Sequence, residues 1–167
     1  MNRSDLADIL LVIDVQNGLN QAARFDDVVK DINQRIDQYR SAQRALLFVQ
    51  NCDEGLVYGS SSWQFAPTLA RQSGDRVLGK YHSDVFFETG LDVLLKHAGV
   101  QTIEVCGLQT EYCIDTAFRV GHDYGYKMQI VHGLHTTFDT PTLSAAQMLK
   151  HHEHIWDGSF GRVLSAQ

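Results

Sequence analysis

An acid, a cation and a thiol each stand where a strand-like run of this chain ends. Ile9-Leu10-Leu11-Val12-Ile13 is continuously apolar and stops at Asp14, and Arg76-Val77-Leu78-Gly79 leads into Lys80. Residues 101–107 are β-branched and apolar. Thr110-Glu111-Tyr112-Cys113 then opens a helical pattern with apolar positions at Ile114, Ala117, Phe118 and Gly121. The chemistry on offer is acyl transfer. Cys113 can attack a carbonyl carbon, Asp14 can take the thiol proton and return it to a leaving amine, and Lys80 can stabilise a thiolate. A thiol in the first turn of a helix meets orphan N–H groups and the positive end of the dipole, which predicts a pKa lowered from about 8.5 into the ~3.5–7.5 range. The backbone N–H groups around Gln109 to Cys113 are placed to hold an oxyanion. Singly, each residue also fits an ordinary role: Asp14 in a turn, Lys80 as a solvated edge charge, Cys113 as packing. The coincidence of all three at strand ends favours the chemistry.

These residues meet only if the strands lie side by side with their ends on one edge. Periodicity predicts a strand at 9–13 and a helix to about Arg40 carrying Val28, Val29, Ile32, Ile36 and Tyr39. A second strand at 45–49, a Gly/Ser-rich loop over 54–62 and a short helix or turn over 63–72 around Pro67 follow. A third strand covers 76–80, and a helix runs from about Thr89 to Ala98 with Gly99 as its stop. The strand at 101–107 and the Cys113 helix to about Tyr124 come next, then a strand at 127–131, a helix from Thr142 to about Ile155 and a weak sixth strand at 162–164. Strands alternating with helices predict an α/β sandwich on a mostly parallel sheet with right-handed crossovers, in one domain over 1–167. In such sheets ligands bind beyond the C-terminal strand ends, where the strand order reverses.

The totals narrow the partners. The chain has 167 residues, 44% hydrophobic and 20% charged, an ordinary globular composition. A net charge of −6 argues against a nucleic-acid or anionic-membrane surface. No apolar run approaches the ~20 residues of a membrane span. A small-molecule substrate is the expected partner. The three cysteines cannot all pair, they lack C-x-x-C spacing, and no signal-peptide pattern opens the chain, which predicts free thiols in a reducing cytoplasm. Cys106 in mid-strand reads as packing, and Cys52 as structural despite its place at a strand end. His151, His152 and His154 lack a carboxylate or cysteine at established ligand spacing and read as solvated or packing. His82 and His135 fall nearer the strand-end edge as candidates to line a pocket. Without a G-x-G-x-x-G after the first strand or a P-loop, no nucleotide cofactor is expected.

Several blocks together resemble a known family. They are Leu11-Val12-Ile13-Asp14-Val15-Gln16-Asn17-Gly18, Gly59-Ser60-Ser61-Ser62-Trp63, Gly79-Lys80-Tyr81-His82-Ser83-Asp84-Val85-Phe86 and Gly107-Leu108-Gln109-Thr110-Glu111-Tyr112-Cys113, then His135-Thr136-Thr137-Phe138-Asp139 and Ser144-Ala145-Ala146-Gln147. In order and spacing the chain resembles the isochorismatase-like cysteine hydrolase superfamily, which includes nicotinamidases, N-carbamoylsarcosine amidase and ureidoacrylate-type amidases. The resemblance implies a three-layer α/β/α sandwich with a six-stranded sheet of order 3-2-1-4-5-6. It also implies a catalytic triad of Asp14, Lys80 and Cys113, and a cis peptide between Leu108 and Gln109 that turns the Gln109 N–H into an oxyanion hole with that of Cys113. Assembly as a homodimer or homotetramer is implied as well.

Departures from subfamily patterns narrow the chemistry further. True isochorismatases cleave a vinyl ether and lack the nucleophilic cysteine, so Cys113 points to thioester chemistry on a small amide or carbamoyl C–N bond. The Asp-x-His metal motif of nicotinamidases has no counterpart in Gln50-Asn51-Cys52-Asp53-Glu54, so no metal is expected. Gly133 stands where the family often has aspartate. Gln16, Trp63, Phe86 and Tyr112 are the candidates for the pocket wall. The competing expectations are isochorismatase-type C–O hydrolysis and a non-catalytic binding protein on the same fold.

Overall fold

The first strand, β1 (Ile9–Ile13), is buried at every position, and its side chains divide by parity between the two faces of a sheet. Ile9, Leu11 and Ile13 enter one core with Leu91, Leu95, Ala117, Phe118 and Trp156. Leu10 and Val12 enter the other with Val28, Val29, Ile32, Ile36 and Tyr39. A strand covered on both faces has no polar side, which is why its sequence reads as an unbroken apolar run. The structure, a computed structural model, describes residues 5–166.

The remaining elements are α1 (Phe25–Ser41), β2 (Ala45–Asn51), β3 (Val77–Lys80), α2 (Leu91–His97), β4 (Thr102–Leu108), α3 (Asp115–Asp123), β5 (Lys127–Val131), β6 (His135–Thr136), α4 (Ala145–Trp156) and β7 (Gly161–Leu164). The sheet runs β3-β2-β1-β4-β5-β7, with β6 alongside β4, and every strand pair is parallel. α1 covers one face, while residues of α2, α3 and α4 fill the core on the other. The three layers and the order of the six longer strands are those expected. Among the described residues no helix is long and apolar enough to cross a membrane.

Two local expectations are corrected and a third is narrowed. The sheet has a seventh strand, β6, whose two residues pair with the end of β4 and are too few to leave a periodic signature. Of the helix or turn expected over 63–72 the turn forms, at Pro67 and Thr68, because that segment commits its backbone to the stretch after β1. Phe65 bridges Gln16, and the Ala66 N–H donates to the Val15 carbonyl at 2.9 Å. The turn carrying Cys113 is π-helical over Thr110–Ile114, and α-helix begins only at Asp115.

Two features hold the centre of the sheet. Glu104, wholly buried in mid-β4, is satisfied by Arg35 through Nε and Nη2, both at 2.6 Å, by the Tyr39 hydroxyl at 3.0 Å and by Gln129 Nε2 at 2.7 Å. An unpaired carboxylate there would cost several kcal/mol, so this network fastens α1 and β5 to β4. Gly107 pairs with Ile13 across β1 and β4 and has φ 118°, and a Cβ there would run into the Ile13 carbonyl oxygen. Only glycine lets β4 pass so close to β1 just before the Cys113 turn. Gly107→Ala is expected to lower unfolding stability by roughly 3 kcal/mol or more in urea titrations. A change under about 1 kcal/mol would contradict this reading of the close approach.

Candidate active site

The strand order reverses at β1, which lies between β2 and β4, and the residues of interest cluster where these strands end. Asp14 leaves β1 in a left-handed conformation (φ 54°), with its N–H donating to the Val49 carbonyl at 3.0 Å. Aspartate is among the few non-glycine residues that adopt this conformation readily. Lys80 closes β3 in register with Asn51, the last residue of β2. Cys113 follows β4 on the π-helical turn.

The Lys80 side chain is fully buried, and its Nζ lies 2.8 Å from Asp14 Oδ2 and 3.2 Å from Cys113 Sγ. It also donates to Asn51 Oδ1 at 3.0 Å and to the His82 carbonyl at 3.1 Å. An ammonium has three hydrogens, and here three oxygens and one sulfur compete for them. The oxygens are the better acceptors, so the sulfur receives at most a shared contact. Asp14 Oδ1, on the other side of the carboxylate, is buried with no hydrogen-bond partner, while the Cys113 thiol interacts with the same carboxyl group. The natural occupant of that free oxygen is the thiol's own proton.

The electrostatics overturn the expected thiolate. Burial, and then the Asp14 charge, push the Cys113 thiol up to about 12, outweighing the opposite pull of Lys80. Removing the thiol proton to solvent would leave a net negative charge in a site where Cys113 is only 9% exposed. Burial also raises Asp14, against the downward pull of Lys80. For Lys80, burial acts downward, but Asp14 and Cys113 together more than offset it and hold the ammonium above its ordinary range. Held 2.8 Å apart, the Lys80 ammonium and the Asp14 carboxylate form an ion pair beside a neutral thiol. Passing the thiol proton to Asp14 leaves the net charge of this set unchanged, which is the inexpensive way to make a thiolate inside protein.

Other candidates fall in varied places. The Leu108–Gln109 peptide is cis. The Gln109 carbonyl accepts from Tyr112 and Ile114 N–H, both at 3.2 Å, and the Cys113 N–H is not among its donors. Tyr112 is 56% exposed, and Trp63 is half-buried with its ring 4.7 Å from that of Tyr58. Gln16 is an internal brace and not a wall. Its amide is fully buried, donating to the Asn51 and Trp63 carbonyls and accepting from Asn51 N–H. Phe86 belongs to the core, stacked on Tyr124 and Tyr126. Of the two histidines placed near a pocket, the His82 ring is exposed and meets Phe87 edge-on, whereas His135 is fully buried. Cys106 is buried, with its thiol 3.8 Å from the Leu11 carbonyl, and burial pushes its pKa well up. Cys52 is partly buried. Asn51, which the sequence does not single out, holds Lys80 on one side of its amide and Asp53 on the other. Its place at the end of β2, on the same edge as Asp14, was the available signal.

A buried acid, ammonium and thiol thus meet at the reversal point of a parallel sheet in an α/β sandwich. Residues 8–163 match the family model for the isochorismatase domain, and the chain belongs to the isochorismatase family of hydrolases. It is 38% identical to a crystal structure of an isochorismatase family protein, with a TM-score of 0.89 over 95% of this chain and 97% of that one. YwoC of Bacillus subtilis (strain 168), an uncharacterized isochorismatase family protein, is 27% identical over 146 residues, 77% of each chain. A streptothricin hydrolase of Streptomyces noursei is 30% identical over 139 residues, 79% of this chain and 55% of that protein. The chain thus spans about half the length of that relative.

Lys80→Met leaves the Asp14 carboxylate buried without a counter-charge, and unfolding stability near pH 8 is expected to fall by roughly 3–5 kcal/mol. Asp14 then binds its proton more tightly in the folded than in the unfolded chain, so the loss should shrink as pH falls through the raised Asp14 pKa. Adding Asp14→Asn should recover part of it. Urea titrations in which the loss is absent, or grows on acidification, would contradict the ion pair.

Proposed function

We propose that this protein is a cysteine-dependent hydrolase of a small amide or carbamoyl substrate, acting on a C–N bond through a thioester. The observation that carries the reading is the ammonium of Lys80, held 2.8 Å from Asp14 and 3.2 Å from the Cys113 sulfur beside an unpartnered carboxylate oxygen. Asp14 takes the Sγ proton as sulfur attacks the carbonyl carbon, and the negative charge that moves onto sulfur is met by Lys80. The substrate oxygen gathers charge in the tetrahedral intermediate and is held by the Gln109 and Cys113 N–H groups. Asp14 then gives its proton to the departing nitrogen, the C–N bond breaks, and ammonia or an amine leaves. Water attacks the thioester with Asp14 again as base, and the acid product departs as the thiol regains its proton.

The similarity to a streptothricin hydrolase supports hydrolysis, and the presence of Cys113 favours C–N over vinyl-ether cleavage. Nothing in the chemistry calls for a cofactor. Trp63 and Tyr112, aromatic and partly exposed, are the remaining candidates for contacts to substrate.

A panel of small amides, ureas and carbamoyl compounds, assayed for ammonia release, is expected to contain a substrate. On that substrate Cys113→Ala should lower kcat by roughly 10⁴-fold or more and Asp14→Asn by roughly 10²–10⁴-fold, with both variants folded. Ammonia release that survives Cys113→Ala would end the thioester route, and turnover of a vinyl ether by Cys113→Ala would transfer the activity to C–O hydrolysis.

A further inference from the structure

Behind the Cys113 turn lies a second buried polar chain that the chemistry above does not use. Glu153 of α4 accepts from the Gly133 N–H at 3.2 Å through Oε1, which also faces His135 Nε2 at 3.0 Å, and its Oε2 faces His132 Nδ1 at 2.7 Å. His135 is fully buried on β6, with its ring 5.2 Å from that of Trp156. Its other nitrogen, Nδ1, lies 2.9 Å from Thr110 Oγ1. Thr110 is fully buried and is the first residue of the turn that carries Cys113.

Counting hydrogens fixes the direction of each bond. Burial acts upward on Glu153, but its bonds to His135, His132 and the Gly133 N–H outweigh that and keep it an ionised acceptor. Burial pushes His135 down against the pull of Glu153, so the ring is neutral with a single hydrogen. The charged and titratable groups facing it are Glu153 and His152 from α4 and His132 from the loop after β5. A carboxylate only accepts, so the hydrogen sits on Nε2, Nδ1 is an acceptor, and the Thr110 hydroxyl donates to it. Carboxylate, imidazole and hydroxyl in this order resemble a serine-hydrolase triad. Neither Thr110 nor His135 reaches solvent, however, so no substrate meets this hydroxyl. What the chain can do is hold the turn.

We propose that Glu153, His135 and Thr110 form a strut that sets the rotation of the Cys113 turn, making them positioning residues for the thiol. The consequence for turnover rests on Cys113 being the nucleophile; the strut itself does not. Inverting the His135 tautomer would put a hydrogen on Nδ1, force the Thr110 hydroxyl to find another acceptor and shift the sulfur, and a displacement near 1 Å can cost about 10²-fold in rate.

The test uses the full chain with ¹⁵N-labelled histidine, iodoacetamide as thiol probe and ammonia release as activity. His135 is expected to show the Nε2–H tautomer, which Glu153→Gln should mix or invert. Thr110→Val should slow alkylation of Cys113 by about tenfold or more and lower kcat with it, while Cys52 is unaffected and Thr110→Ser keeps the rate within about threefold. Equal Cys113 alkylation in Thr110→Val and Thr110→Ser, with normal turnover in both, would overturn the strut and leave the hydrolase reading standing. Altered Cys113 alkylation in Thr110→Val, in a protein that hydrolyses none of the panel, would keep the strut and remove the hydrolase.

Discussion

The buried ammonium of Lys80 is the constraint around which the site is assembled. A lysine with no solvent contact must be paid for by acceptors, and this fold supplies them from separate strands: Asp14 after β1, Asn51 at the end of β2, and the His82 carbonyl just beyond β3. The sulfur of Cys113, from the turn after β4, completes the ring of contacts. These groups come from positions far apart in sequence, and only a parallel sheet that reverses its order at β1 aligns their ends. Fold and site are therefore one problem. The register that pairs Asn51 with Lys80, and Ile13 with Gly107, also sets the distances within the cluster.

Net neutrality decides how such a site can work. A high thiol pKa would disable a nucleophile that had to ionise into solvent, and Cys113 is pushed in that direction by burial and by Asp14. Inside the cluster the thiol proton has a nearer destination in the unpartnered oxygen of Asp14. In the proposed reaction the carboxylate that suppresses spontaneous thiolate formation is also the base that makes attack possible. On the same proposal the thiol stays protonated until a carbonyl arrives whose developing charge can be stabilised.

Much of this was legible in the chain. The apolar run Ile9–Ile13 revealed a strand covered on both faces, and the acid, cation and thiol at strand ends identified the groups that meet. The pKa of Cys113 was misread because a helix N-terminus is visible in sequence, whereas the buried carboxylate that outweighs it is not. Gln16 and Phe86 are candidates for a pocket wall by sequence, yet one directs its amide to backbone groups and the other stacks in the core. The two residues of β6 are too few to carry a period, and the partnership of Glu153 with His135 joins elements that no local pattern connects.

The protonation state of Cys113 in the free protein tests the central claim most directly. Thiolate absorbance, taken as the difference between the wild-type chain and Cys113→Ser across a pH titration, is expected to show no step for this residue below about pH 10, in keeping with a thiol pushed up to about 12. A thiolate already formed below about pH 7 would contradict the neutral cluster and with it the role given to Asp14.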